Sequence, residues 1–358
     1  MQKMPKAKTA KPSRLAKQLE TEGVASSVGF DMDRSKWSIE RKLLDAKYRD
    51  ALARLSIAES RIETLVGLSK EVRSKKRSRP KRTTDTDATA CLVLSDWHCE
   101  EEVDPAKVSG LNSFNLEEAE KRIGRTFDKC LLLLEDARHL ATIKTMVVGL
   151  LGDFISGSIH DDLIECAQLS PLEACRFAQE HITSGLDALL SHGDLEEIVV
   201  VTAPGNHGRT TKKMRITTSA ENSFEQNLYY SMQRQYRGEP RIKWKIEPGY
   251  HNWLEIQGRQ VRWHHGEGVK YAGGILGFAL PANKAIAQWN RAKRSDLDVF
   301  GHHHQWANNW SWICNGSLIG YGPFSVSIKA DYQPPLQTFF VMDREHGVTR
   351  VLPIFCGS

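Results

Sequence analysis

The chain has 358 residues, 40% of them hydrophobic, which is enough to bury the core of one large domain or two smaller ones. Its net charge of +5 conceals an asymmetry: residues 1–82 carry 22 Lys and Arg against 10 Asp and Glu (+12), and residues 83–358 carry 27 against 34 (−7). Seven cysteines without a CxxC pair argue against a disulfide framework or a zinc knuckle, and Met146–Leu151, the longest apolar run, is too short to span a bilayer. The expectation is a protein of the reducing cytoplasm, with no membrane partner.

Residues 1–35, rich in Lys, Ser, Thr and Ala, read as a flexible basic arm. Over 36–73 the apolar residues Leu44, Tyr48, Ala51, Leu55, Ala58, Ile62 and Leu65 alternate spacings of four and three. This is a heptad seam, and it predicts either a coiled-coil helix that makes the protein a homo-oligomer or an amphipathic helix lying on its own domain. Residues 74–89 read as a basic linker, because Ser74–Arg82 holds six basic residues in nine and a proline. A solvated tail and a nucleic-acid contact both fit that run.

From residue 90 to 358 the pattern becomes that of an α/β domain. Short apolar runs at Cys91–Leu94, Met146–Leu151, Ile198–Val201, Val261–Trp263 and Val299–Phe300 read as strands, and Leu116–Leu140 and Pro171–Leu190 as helices. Residues 221–260 leave room for a small hairpin, and 321–358 read as further strands that close the sheet. Each of the five strand runs ends in polar residues: Ser95-Asp96-Trp97-His98, Gly152-Asp153, Gly205-Asn206-His207, His264-His265-Gly266 and Gly301-His302-His303-His304. Singly, each of these is an ordinary turn or hydrogen-bonded pair. Together they bring carboxylate and imidazole groups, without thiolate, to one sheet edge, a donor set suited to Mn²⁺, Fe²⁺ or Zn²⁺.

In this order the motifs resemble those of the calcineurin-like metallophosphoesterase superfamily, D-x-H, G-D, G-N-H, H-G and G-H-x-H, over roughly residues 90–320. Cys314-Asn315-Gly316-Ser317 resembles the turn that often follows the last of them. The resemblance implies a four-layer α/β/β/α sandwich and a dinuclear centre of two divalent ions, Mn first, with Fe, Zn or Ni as alternatives. Carried over position by position, it gives Asp96, His98 and His304 to one ion and Asn206, His265 and His302 to the other, with Asp153 bridging. His264 and His265 both stand in the fourth motif; the family's ligand precedes the glycine, which favours His265. His303 is expected to point away, and His207 to act catalytically on the leaving oxygen without binding metal.

Two departures from the family stand out. Gly208 follows Gly-Asn-His where many members have an acidic residue, and Gly152-Asp153-Phe154-Ile155-Ser156 lacks the His or Asp that subfamilies place three residues after the bridging Asp. His160 or Asp161 is the nearest replacement.

Arg209, Lys212, Lys213 and Arg215 follow the third motif directly and read as substrate-binding cations, or else as a solvated loop. Trp306, next to the last motif, is the tryptophan expected to stack on a base, the others being assigned to packing. The leading expectation is a Mn²⁺-dependent nuclease acting on DNA, resembling the repair exonucleases of the superfamily. A phosphodiesterase or phosphatase acting on a nucleotide, cyclic nucleotide or phosphoprotein is the alternative, and an oligomeric scaffold that keeps the fold is a third.

Overall fold

The computed structural model describes residues 27–71 and 86–357, so residues 1–26 of the expected arm and most of the expected linker lie outside the described residues. The chain divides into two units; among the described residues the first holds one helix and the second everything from the first strand onward.

Helix α1 runs Ser27–Glu71. It starts inside the span expected to be a flexible arm: residues 27–35 are helical, and no proline interrupts Ser27–Glu71 to remove a backbone donor. The seam residues Leu44, Tyr48, Leu55, Ile62 and Leu65 are exposed, as are Leu43, Leu52, Ile57 and Val66 beside them.

The second unit begins with β1 (Asp87–Leu94), whose first residues fall in the span read as linker and ahead of the expected boundary at residue 90. Then come α2 (Leu116–Arg138), β2 (Thr142–Leu150), α3 (Asp161–Cys166), α4 (Pro171–His192), β3 (Glu197–Thr202), α5 (Phe224–Gln235) and β4 (Ile242–Lys245). After these follow β5 (Asn252–Ile256), β6 (Arg259–Trp263), α6 (Ala279–Trp289), β7 (Leu297–Phe300), β8 (Ala307–Asn308) and β9 (Trp312–Cys314). The chain closes with α7 (Pro323–Ile328), β10 (Leu336–Asp343) and β11 (Gly347–Phe355).

Six strands form one sheet in the order β11-β10-β1-β2-β3-β4, and five form a second in the order β5-β6-β7-β9-β8. Each side of the first sheet has its own core. Ala90, Leu92, Leu94, Met146, Val148 and Val200 pack under α2, α4 and α5. Their strand neighbours Cys91, Val93, Val147 and Val201 face Val261, Trp263, Val299 and Ile313 of the second sheet. Alternation along each strand thus separates a helix-facing from a sheet-facing set. Beyond the second sheet, Phe300, Trp312 and Cys314 pack with Ala282 and Ile286 of α6. The result is the α/β/β/α sandwich.

Helix starts follow local chemistry. Asn115 caps α2 by accepting from the Glu118 N–H at 2.9 Å, and Ser170 and Glu173 form a reciprocal capping box on α4. The hairpin falls at β5–β6, where Gln257 and Gly258 both take positive φ (53° and 77°), the backbone of a two-residue turn matched to strand twist. Among the described residues, no helix is long and apolar enough to cross a membrane, and all seven cysteines are unpaired thiols.

Candidate metal centre

Strands β1, β2 and β3 are parallel, and so are β6 and β7, so the loops leaving their C-terminal ends share one edge of the sandwich. Backbone hydrogen bonds tie the loops together: Asp96 N–H donates to Gly152 O (3.0 Å), Trp97 N–H to Asp153 O (2.8 Å) and Gly301 N–H to His265 O (2.7 Å). Asp96, His98, Asp153, His302 and His304 all take positive φ, between 47° and 70°, a region L-residues seldom enter outside strained functional turns. The side chains are thereby turned inward over the strand ends.

Two clusters result. Asp96, His98 and His304 form the first, with His98 Nε2 3.2 Å from His304 Nε2 and His304 Nε2 3.4 Å from Asp96 Oδ1. Asp153, His265 and His302 form the second, with His265 Nε2 2.9 Å from Asp153 Oδ2 and 3.2 Å from His302 Nδ1. Asn206 joins it, its Oδ1 3.2 Å from His265 Nε2. Four to six ligands held about 2.1 Å from one ion are separated by about 3.0–3.4 Å along the edges of their polyhedron, so these spacings fit a divalent ion in each cluster.

The electrostatics point the same way. Burial alone would push the Asp153 carboxyl up, but His265, His207 and His98 outweigh it and hold Asp153 well below the usual range. Against burial, which disfavours its charge, the Asp153 carboxylate pushes His265 well above an ordinary imidazole, and Glu101 likewise raises His98 to about 9. Positive charge is thus favoured at both clusters, and a divalent ion would displace those protons.

Partners outside the clusters orient the ligands. His265 Nδ1–H donates to Leu151 O at 2.6 Å, which leaves Nε2 as the ligand atom. His98 Nδ1–H donates to Ser156 Oγ at 2.8 Å, and the Ser156 hydroxyl donates in turn to Glu101. Asp96 is fixed by His302 N–H at 3.0 Å and by Ser95 Oγ at 2.5 Å, and Ser95 accepts from Asn315 Nδ2 at 2.8 Å. This is the structural part played by the Asn-Gly-Ser turn.

The remaining sequence-derived residues divide. His264 is buried away from the clusters, stacked on Phe300 at a centroid distance of 5.1 Å with Nε2 3.5 Å from Asp298. His303 stacks on Phe278 at 4.6 Å. His207 sits beside the first cluster, its ring 4.9 Å from that of His98, with its backbone N–H on Asp153 Oδ1 (2.8 Å) and Nδ1 3.2 Å from Ser156 O. Burial lowers it to about 4, so in this site its imidazole is neutral.

Arg209 does not stand free. Its guanidinium donates to Asn206 O (2.6 Å), Thr211 O (3.1 Å) and Lys212 O (3.3 Å) of its own loop. Lys212 and Lys213 are exposed, and Lys212 lies 3.7 Å from Asp161. Asp161 is therefore a surface partner of Lys212, whereas His160 places its ring 6.0 Å from His207. Trp306 is half-buried, whereas Trp310, also in the C-terminal third, lies in solvent.

The missing acid after Gly-Asn-His has a tertiary replacement. Glu225, fully buried in the first turn of α5, accepts from Phe154 N–H (2.7 Å) and Gly205 N–H (2.6 Å), joining the second motif to the third. A side chain at Gly208 would place its Cβ 2.7 Å from Glu225 Cγ, so the glycine is what admits the carboxylate. Nothing in the local sequence signals Glu225. Glu100 and Glu101, by contrast, stand two and three residues after His98, and Glu100 accepts from Ser156 N–H (2.7 Å) and Gly157 N–H (2.9 Å).

No family model matches the sequence, and no curated protein does. Among solved structures the chain is similar to an uncharacterized protein from Streptococcus pneumoniae described as a predicted phosphoesterase, at 10% identity and a TM-score of 0.27, over 74% of this chain and 98% of that one. It is similar to a hypothetical protein from Pyrococcus horikoshii at 12% identity and a TM-score of 0.35, over 74% of this chain and 87% of that one. A putative 5'-nucleotidase from Staphylococcus aureus matches at 11% identity and a TM-score of 0.31, over 76% of this chain and 55% of that one. The ordered motifs, the two facing sheets and the paired ligand clusters are the points on which this chain resembles the calcineurin-like metallophosphoesterases.

Proposed function

We propose that this protein hydrolyses phosphate esters with two divalent metal ions, and that it is a Mn²⁺-dependent nuclease acting on DNA. The observation that carries the hydrolase reading is the pair of clusters, each with carboxylate and imidazole atoms at the spacings of a coordination polyhedron. Asp96, His98 and His304 would hold one ion and Asn206, His265 and His302 the other, with Asp153 shared. Bound there, the ions lower the pKa of water and neutralise charge on phosphoryl oxygens.

The chain's own groups supply orientation and proton handling. Asp96 and Asp153, held ionised by neighbouring imidazoles, give each cluster a carboxylate to offer a cation. His207, whose Nδ1–H faces the Ser156 carbonyl, has Nε2 as its acceptor. A neutral imidazole takes up a proton before it gives one to a leaving oxygen, and the negative charge of a phosphoryl group beside it favours that uptake.

The DNA reading draws support from the exposed Lys212, Lys213 and Arg215 directly after the third motif, and from the basic residues of 1–82, which would act as a tether. The exposed stripe on α1 supports assembly into homo-oligomers. A single nucleotide or cyclic nucleotide is the second reading, favoured because Arg209 spends three of its five donors on its own loop and is held there instead of reaching toward a polynucleotide backbone. Purified protein with Mn²⁺ should degrade single- or double-stranded DNA. Turnover of a cyclic dinucleotide or a p-nitrophenyl ester with DNA left intact would favour the second reading, and no metal-dependent turnover of any ester would remove both.

A further inference from the structure

Beside the second cluster lies a cavity of about 400 Å³, within the range of small-molecule sites, about 300–1,000 Å³. Asn206 and His265 belong to its wall, so a group filling it adjoins the second cluster. Aromatic surface comes from Tyr250 and Trp289, whose ring centroids are 5.9 Å apart. Met214 and Ile216, from the loop after the third motif, add apolar surface and are 51% and 89% exposed. Arg209 also lines the cavity, with three of its five N–H donors on carbonyls of its own loop, and adds the flat face of a guanidinium to the wall.

One polar group in this wall is left over. Glu267 Oε2 is buried and has no hydrogen-bond partner. A buried acceptor of this kind is costly unless something supplies a donor. The Tyr250 hydroxyl at the same wall accepts from Gly268 N–H at 2.8 Å and turns its own O–H toward the Glu267 carboxyl group, leaving Oε2 as the oxygen without a partner.

We infer that this cavity is a nucleobase subsite, in which Tyr250, Trp289 and the Met214–Ile216 segment enclose the ring and Glu267 Oε2 accepts from its amino group. The inference rests on the phosphoesterase reading for the reason a base should lie there: the ester's phosphorus would sit at the clusters, and the adjoining cavity takes what is attached to it. A flat ring with apolar faces and an N–H edge satisfies both the aromatic surface and the orphaned carboxylate oxygen. An aliphatic leaving group would satisfy only the first. Cytosine and uracil differ at the position that matters: one offers an exocyclic amino group, and the other offers a carbonyl oxygen that repels a carboxylate.

The test is ligand-observed NMR titration of the Mg²⁺-loaded full chain with cytidine, uridine and ribose, none of which carries a phosphoryl group to hydrolyse. Cytidine should bind about tenfold more tightly than uridine, the discrimination a hydrogen bond to a carboxylate provides, and ribose should not bind measurably. Glu267→Gln should bring the two nucleosides to within about twofold, since an amide can turn either its oxygen or its NH₂ toward the base. Equal binding of all three ligands would overturn the subsite, and so would a cytidine preference unchanged by Glu267→Gln. The comparison between nucleosides on the unmodified protein stands even where the variant fails to fold. Hydrolysis of bis(p-nitrophenyl) phosphate, run in parallel with Mn²⁺, reports on the phosphoesterase reading separately: turnover without nucleoside selectivity rejects the subsite alone, and selectivity without turnover upholds it.

Discussion

Replacing Glu225 by glutamine tests how the two central motif loops are held. In metal-free protein the Glu225 carboxyl is pushed from 4.5 up to about 7, first by burial and then by the nearby Asp153. For an acid whose folded value is raised, the native state keeps its proton longer than the unfolded chain does, so stability falls as pH rises from about 4.5 and levels off above about 7. A shift of this size corresponds to about 3 kcal/mol. Glutamine cannot titrate, and it turns an NH₂ toward one of the two backbone N–H groups, which costs about 1–3 kcal/mol. Glu225→Gln should therefore be destabilising by about that amount at pH 5, and at pH 8 it should be neutral or stabilising by up to about 2 kcal/mol. Urea denaturation of chelator-treated protein at pH 5, 6, 7 and 8 gives the difference directly. A cost that is the same at pH 5 and 8, or larger at pH 8, would refute the reasoning.

Four further outcomes follow from the site. His265→Ala should lower bound metal from about two ions per chain toward one, and elemental analysis showing no loss would count against its place in the second cluster; His207→Asn should instead keep the metal and reduce ester turnover about 10²–10⁴-fold. Because His98 is raised to about 9 and His265 is raised well above its ordinary value, metal binding must release protons, so affinity should climb with pH between 7 and 9. A flat profile in a chelator competition would contradict that. Ser156→Ala removes the hydroxyl between His98 and Glu101 and should weaken metal affinity about 10–100-fold; affinity within twofold of the unmodified protein would show that His98 is oriented by other means.

Much of the site was legible because its chemistry is local to strand ends. Asp96, Asp153, Asn206, His265, His302 and His304 each follow an apolar run at once, and short parallel strands bring such positions to one edge. The choice between His264 and His265 was legible only through the family motif. In the structure it follows from alternation, which sends His264 toward Phe300 and His265 toward Leu151 and Asp153. Arg209 shows the limit of reading charge from sequence: its position after Gly-Asn-His is apparent, but its engagement with three carbonyls depends on how the loop turns.

By itself, then, the sequence determined the α/β alternation and the order of the seven candidate ligands along the chain, since apolar runs and the residues that end them are contiguous properties, while the two-sheet sandwich was implied only by the family resemblance. The tertiary structure alone decided what supports those ligands. Glu225 closes the gap left by Gly208 from a different segment of the chain, Ser156 couples His98 to Glu101, and Glu267 leaves an oxygen without a partner beside the second cluster. Hydrogen bonds between groups far apart in sequence carry no periodic trace. They exist only once the loops have been brought over the sheet edge and the burial around them has fixed which polar atoms can meet.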